Sequence, residues 1–387
     1  MKPFFTHRSL GAFTVLLTLL VAGGVTRGQE VDVWIGTTTP PGGLSKGVYH
    51  ARLNTANGKL SRPRLAAELN SPGFLTLHPK ANVLYSVGRV AGEASLVSLR
   101  IRRTGAGKSL ELLNSTPIGD GGAAHLATDR AGKVLVSAQY GGGSTAIFPL
   151  AADGAIMPRS QLIKHQGGSR VVGRRQDSPH AHWVGPAPDN RYFFVPDLGL
   201  DQVVIYKLDL ENARLAPHGH GQAPPGGGPR HMKFHPNGKF IFVLNELALS
   251  VTSFAYDAAA GEMKPVQTIE TVPEAEKSKE VFVSASEIRV HPNGKFVYSA
   301  NRGHDTITAF SVDARNGKLA LIEREPVRGS WPRNFNIDPT GRWLLAAGRD
   351  SNNIAVFAID EKSGELTYTR QMVLAPTPIC VLFGKMP

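Results

Sequence analysis

Five arginines, one glutamate and one histidine recur at matched places along this 387-residue chain: Arg89, Arg230, Arg302, Arg333, Arg349, Glu246 and His182. Guanidinium groups grip carboxylates, phosphates and developing oxyanions through paired, charge-assisted hydrogen bonds. An imidazole or carboxylate beside them supplies a general base. Such a set could drive water onto an ester carbonyl and then protonate the departing alkoxide. No His/Asp/Glu cluster with clear metal-ligand spacing and no nucleophile elbow is expected, so the chemistry read here is metal-free, cofactor-free and non-covalent.

The elements that carry these residues are best seen in residues 229–256. Two apolar runs flank Asn237-Gly238, a pair expected to take the positive φ values of a tight hairpin turn. The second run is apolar without alternation, as in a strand covered on both faces, and a third β-like run follows from Ser250. Arg230 and Glu246 therefore lie level, across from one another, at the edge opposite the turn. Residues 286–313 and 332–360 repeat the unit closely, and residues 72–89, 124–150 and 182–208 repeat it loosely. Aligned on His235, the copies place His78, Asp129, Ala187, His291 and Asp338 at one position, with spacings of 51, 58, 48, 56 and 47 residues. Multi-stranded units at that period predict an all-β fold, a β-propeller with one blade per unit. A split seventh copy joins Thr377-Pro378-Ile379 to residues 31–37 and 47–53, so a seven-bladed ring closed by its two ends is expected.

In that ring the starts of the first strands are Gly73, Ala124, His182, Arg230, Ser286 and Arg333. The ends of the second strands are Arg89, Tyr140, Leu198, Glu246, Arg302 and Arg349, with Thr37 from the split blade. All face one end. His125, Tyr140, His180, Glu287, Arg289 and Arg333 are read as substrate contacts. Ion pairing between blades is the competing explanation for the charges, but the cations outnumber the anions. A local Glu287–Arg289 pair is also open, since the two share a strand face. The repeated His-Pro of His78, His235 and His291 sits at the turn end and is read as structural. Residues 151–178 and 257–284 are the longest insertions, with Gln166-Gly167-Gly168-Ser169 and Arg174-Arg175-Gln176-Asp177 read as exposed loop.

Composition sets the remaining bounds. Lys2 and Arg8 precede an apolar run over residues 10–22 and then small residues, the layout of a secretory signal; an uncleaved anchor is the alternative. The domain reading is a signal at 1–28 and one propeller domain at 29–387. One cysteine, Cys380, allows no internal disulfide, and export without disulfides fits a bacterial periplasm. The formal net charge is +12, and +9 without residues 1–28. The basic residues are spread out, with no stripe interleaved with aromatics, so nucleic acid is not an expected partner. A diffuse positive field steers small anions instead. No membrane partner is expected after signal cleavage, and a monomer is the expected state.

Several stretches carry a resemblance: Ile35-Gly36-Thr37, Gln139-Tyr140-Gly141-Gly142-Gly143-Ser144, Pro179-His180-Ala181-His182, Pro196-Asp197-Leu198-Gly199, Gly228-Pro229-Arg230-His231, Leu244-Asn245-Glu246, Glu287-Ile288-Arg289-Val290, Asn301-Arg302-Gly303 and Pro332-Arg333-Asn334. Together the chain resembles the propeller-type lactonases, the family of bacterial 6-phosphogluconolactonases and fungal carboxymuconate-lactonising enzymes. The resemblance implies a sugar lactone or carboxylate as substrate, and His182, Arg230, Glu246 and Arg302 as the catalytic set. With Glu246 beside Arg230, the carboxylate is expected to be the weaker base and an orienting group, leaving His182 as general base. Thermal stability is expected to be nearly insensitive to loss of Arg230 or His182. Two other readings stay open: a non-catalytic periplasmic binding platform, and a lactonising or isomerising enzyme acting on a dicarboxylate. Mass spectrometry of the protein from its native host should find a mature N-terminus between residues 23 and 30; an intact Met1 in a cytosolic fraction would contradict export.

Overall fold

A computed structural model of the chain describes Met1, Pro3, Phe4 and residues 29–105 and 107–386. The expected signal segment, including Lys2, Arg8 and the run over residues 10–22, lies outside the described residues. Among the described residues no helix is long and apolar enough to cross a membrane.

Seven four-stranded antiparallel sheets make up the fold, each with its strands in chain order from the inside outward, apart from the closing one. In the blade carrying Arg230 these strands are Pro229–Phe234, Phe240–Asn245, Ser250–Asp257 and Glu262–Glu270. The second strands read as continuous apolar runs because both faces are covered by neighbouring blades; Phe240–Asn245 is buried at every residue. Seven apolar clusters, one between each pair of adjacent blades, form a circular core.

The ring closes as the split repeat requires. Pro378–Phe383, near the C-terminus, becomes the inner strand of a sheet whose other strands are Glu30–Thr37, Gly47–Asn54 and Arg64–Glu68. Val33 pairs with Phe383, Ile35 with Val381 and Gly36 with Cys380. Cys380 is buried there as filler.

At the turn end the His-Pro repeats act as latches. The Asn237 amide donates to Nδ1 of His235 at 3.1 Å, which leaves Nε2–H to donate to the Gly294 carbonyl of the next blade at 2.8 Å. His78 and His291 make the same bond to Gly132 and Gly341. The receiving glycine has φ of 75° at Gly294, and a Cβ there would lie 2.8 Å from the His235 ring. The turn itself differs from the expected two-residue type. Only Gly238 takes a positive φ, and the His235 amide donates to the Phe240 carbonyl across a four-residue loop.

Removing residues 377–387 deletes the inner strand of the closing blade, strips one face of its neighbour's core and bares a strand edge. Thermal unfolding should then move down by well over ten degrees or lose cooperativity; a truncated protein that melts like the full chain would contradict the closure.

Candidate active site

A local irregularity in the inner strands positions the site. Each of several inner strands carries one extra residue at the same level, so that Ala124, Arg230 and Arg333 fall in the register shifts Ala123/His125, Pro229/His231 and Pro332/Asn334. Ser286 and Glu287 lie in the shift between Ala285 and Ile288, and Ile379 in that of the closing strand. A bulge re-aims a side chain and ends regular pairing, which turns these residues toward the end opposite the latches.

The ends of the second strands are pinned by the residue before each functional position. The Asn245 amide donates to Ser250 Oγ and Thr252 Oγ1, both at 2.9 Å, and this fixes where Glu246 leaves the strand. Asn301 does the same before Arg302, through Thr306 and Thr308. Before Leu198, Asp197 accepts from the His180, Gly199 and Leu200 amides.

Glu246 is the centre of the charge arrangement. Its carboxylate lies 2.8 Å from Arg230 Nε, 2.7 Å from an Arg175 guanidinium nitrogen and 3.1 Å from one of Arg302. Arg230 also donates to the Ser286 carbonyl in the next blade, and Arg302 to the Ala285 carbonyl of its own inner strand. Burial alone would raise the Glu246 carboxyl, but Arg302 and then Arg230 beside it hold it well below the usual carboxylate range. Sequence reasoning expected Arg230 to await a ligand and to be irrelevant to stability. Instead Arg230 is itself 3% exposed, ion-paired with Glu246 on one side and hydrogen-bonded to Ser286 on the other, so its loss also loosens a buried polar network.

The excess of cations is real. Arg333 makes no hydrogen bond or ion pair among the described residues, and burial, followed by the charge of Arg302, pushes its guanidinium down to about 10. His182 is 6% exposed and its Nδ1 has no hydrogen-bond partner among the described residues. Burial and the nearby Arg230 hold its pKa well below the ordinary imidazole range, so the ring is neutral at neutral pH. Tyr140, Arg175, His182, Glu246, Arg302 and Arg333 all line a cavity of about 420 Å³. Arg230, His182 and Arg333 share a smaller one of about 120 Å³ in the channel beneath it.

The other sequence candidates are distributed differently. His180 stacks on Tyr140 with ring centroids 4.6 Å apart and bonds the Tyr140 carbonyl, bracing that ring from behind. His125 and Arg289 line a separate cavity toward the latch end. Glu287 is fully buried between the two, within 3.1 Å of His231, 3.7 Å of Lys233 and 3.5 Å of Arg289, so the Glu287–Arg289 contact exists. Arg89 bonds its own turn at Gly92, and Arg349 pairs with Asp350.

Two residues were missed. Arg175 lies in the insertion read as exposed loop, yet that loop is tied down by Gln176, buried and bonded to Leu198 and Asp201. Its only signal was a basic pair in a long insertion. Trp331 lines the cavity with its indole N–H buried and unpartnered among the described residues. It stacks on Phe282 at 5.7 Å, lies under Arg349 and Arg302, and holds φ at 59°. A bulky residue in that region costs of order 1–3 kcal/mol, and such strain gathers at binding sites. One motif needs correction: Gly43-Leu44-Ser45-Lys46-Gly47 does spell Gly-x-Ser-x-Gly. It leads into a strand, not a helix, and Ser45 is buried 2.6 Å from Thr37 Oγ1, so it is no nucleophile elbow.

Comparison with known proteins agrees with this fold. A family model described as lactonase, 7-bladed beta-propeller, matches residues 32–383. The chain is 33% identical over 350 residues to a 6-phosphogluconolactonase of Bacillus subtilis, covering 90% of this chain and 97% of that one. It is 33% identical over 299 residues to a 6-phosphogluconolactonase of Formosa agariphila, covering 76% and 82%. Among solved structures, the periplasmic gluconolactonase of Pseudomonas aeruginosa superposes with a TM-score of 0.84 at 31% identity, covering 92% of this chain and all of that one.

Three buried imidazoles, His125, His182 and His231, have pKa values held well below 6.5, chiefly by burial. Lowered in the folded state, they stabilise it above the unfolded pKa, and that contribution is lost as pH falls toward their folded values. Unfolding free energy should therefore decline below about pH 6.5, by up to about 4 kcal/mol per pH unit if all three act. Chemical denaturation across pH 7 to 5 checks this, and His231→Gln should flatten the slope.

Proposed function

The chain belongs to the seven-bladed β-propeller lactonase family, and from that membership we propose that it opens a sugar lactone of the 6-phosphogluconolactone type by attack of water, without a covalent enzyme intermediate. The observation that carries this reading is Arg333, a half-buried cation with no partner among the described residues, beside the neutral imidazole of His182, whose Nδ1 is likewise unpartnered there. Arginine so placed needs an anion, and an imidazole so placed can accept a proton. The names of the Bacillus and Formosa relatives supply the substrate class, and the periplasmic name of the Pseudomonas neighbour supports export of this chain.

The division of labour follows from charge and bonding. Glu246 is held ionised by three guanidiniums, which makes it a poor base and a good anchor. His182 takes a proton from water as the water oxygen bonds to the lactone carbonyl carbon. Negative charge grows on the carbonyl oxygen, and Arg302, with its Nε–H unpartnered, and Arg333 are the donors to receive it. The tetrahedral adduct then expels the ring oxygen, His182 returns the proton to it, and the product is the open hydroxy acid. The substrate's phosphate would draw on the same excess of arginine. Trp331 offers an aromatic wall and one N–H to the sugar ring.

Arg333→Ala should raise KM for 6-phosphogluconolactone about ten- to a hundredfold, since a charge-assisted bond contributes about 1.5–3 kcal/mol. It should affect unphosphorylated gluconolactone less and leave the melting temperature within a degree or two. His182→Asn should instead lower kcat with little change in KM. Both are read in a lactonase assay corrected for spontaneous opening. Unchanged hydrolysis per folded molecule in both variants would overturn the assignment and favour a binding platform. In the wild type the acid limb of kcat/KM should fall below pH 6.5, because the His182 base is lost only when it is protonated there.

A further inference from the structure

A second cavity opens at the latch end of the ring. Its volume is about 360 Å³, and Phe74, Trp183, Val381, Lys233 and Arg289 are among the residues lining it. An aromatic plug separates it from the lactone cleft: Phe74 packs on His125 at 4.2 Å, His125 on His231 at 5.6 Å, and His231 on His182 at 5.3 Å. The proposed reaction uses none of the groups below that plug.

The charges there do not balance. Among the described residues Glu287 is the one buried carboxylate nearby, and its oxygens are already engaged by the Asn334 amide, His231 and the Ile288 amide. Lys233 and Arg289 stand farther off, at 3.7 and 3.5 Å. The Lys233 ammonium makes no hydrogen bond shorter than 3.5 Å among the described residues, and it sits 4.8 Å from the centre of the Trp183 ring. Its side chain is only 19% exposed, through this cavity, and burial pushes its pKa down to about 7. Two cations thus share one occupied carboxylate against apolar and aromatic walls. A buried ammonium is costly unless an anion meets it.

We propose that this cavity is a binding site for a small aromatic carboxylate, distinct from the lactone cleft. The carboxylate oxygens lie between Lys233 and Arg289, with the planar body against the wall that Phe74, His125 and Trp183 form. The apolar walls favour such a body over a free inorganic anion, which would leave them wet. Because the site lies beyond the plug, the inference stands whether or not the lactone is the substrate of the other end.

Benzoate tests this, with benzamide as its uncharged counterpart and inorganic phosphate as an anion without a ring. Titration of the full-length protein, followed by calorimetry and by Trp fluorescence, should give a Kd for benzoate below about 1 mM. Benzamide and phosphate should bind at least about tenfold more weakly, as should benzoate to Lys233→Met and to Arg289→Gln. Two variants guard against one failing to fold, which circular dichroism reports. Arg333→Ala should leave benzoate binding unchanged. Three results would overturn the proposal: no benzoate binding in the millimolar range, equal binding by both folded latch-end variants, or loss of binding in Arg333→Ala, which would put benzoate in the lactone cleft.

Discussion

A single buried carboxylate holds the functional end of this ring together. Glu246 brings Arg230 of its own blade, Arg302 of the next and Arg175 of an insertion from the blade region before it onto two oxygens. Taking such a group out of water is expensive, and only several close donors offset the cost. Without the carboxylate, three guanidiniums would face each other in a low-dielectric channel, where like charges repel strongly. Arg230 and Arg302 both also hold the inner strand of the blade that carries Arg302, so the carboxylate sets the spacing between two blades, and with it the cleft. The ion pairs that could have been only structural and the arginines that could bind an anion are thus the same network, with Arg333 left over.

The backbone makes this possible by departing from regular pairing at one level of the inner strands. A regular inner strand would alternate its side chains between the two flanking blades. The extra residue at Arg230 and at Arg333 interrupts that alternation and presents a guanidinium to the end of the channel. The polar residues just before Leu198, Glu246 and Arg302 complete the arrangement, because each satisfies a turn that would otherwise be free to drift. Glu287 repeats the Glu246 pattern one level deeper, with His231, Lys233 and Arg289 in place of arginines alone.

Much of this was legible from the chain. The repeat of apolar runs and Gly-containing turns yields the blades, and the half-units at the ends yield the closure, because strand periodicity and turn chemistry are local. Arg230 opposite Glu246 follows from hairpin register alone. The residues that escaped reading act across distances that register cannot measure. Arg175 arrives from an insertion that belongs to no repeat, and Trp331 fills a positive-φ position before its strand that other blades give to smaller residues, Gly228 and Thr377. His125 and Arg289 show the converse limit. They belong to inner strands like the site residues, but each lies farther toward the turn, and a few residues at about 3.3 Å each suffice to move a side chain from one mouth to the other. Arg230 shows a third limit: whether a charged residue is paired or waiting depends on neighbours in three dimensions.

The closing strand, Pro378–Phe383, also has a consequence for how the molecule is made. Glu30–Thr37 is among the first parts of the domain to be synthesised, and its inner-edge partner is among the last. Throughout elongation that edge has donors and acceptors with no neighbour, and the adjoining apolar cluster lacks Val381 and Phe383. Bringing ends some 350 residues apart together costs roughly 5 kcal/mol of loop entropy, so the preceding blades must be largely assembled before the last strand can dock stably. The nascent ring is therefore an open horseshoe with one sticky lip, and its hazard is pairing with the lip of another nascent chain. Joining the two ends through a new linker and opening the chain at an exposed loop elsewhere would shift that period of vulnerability to a different blade without changing the finished ring.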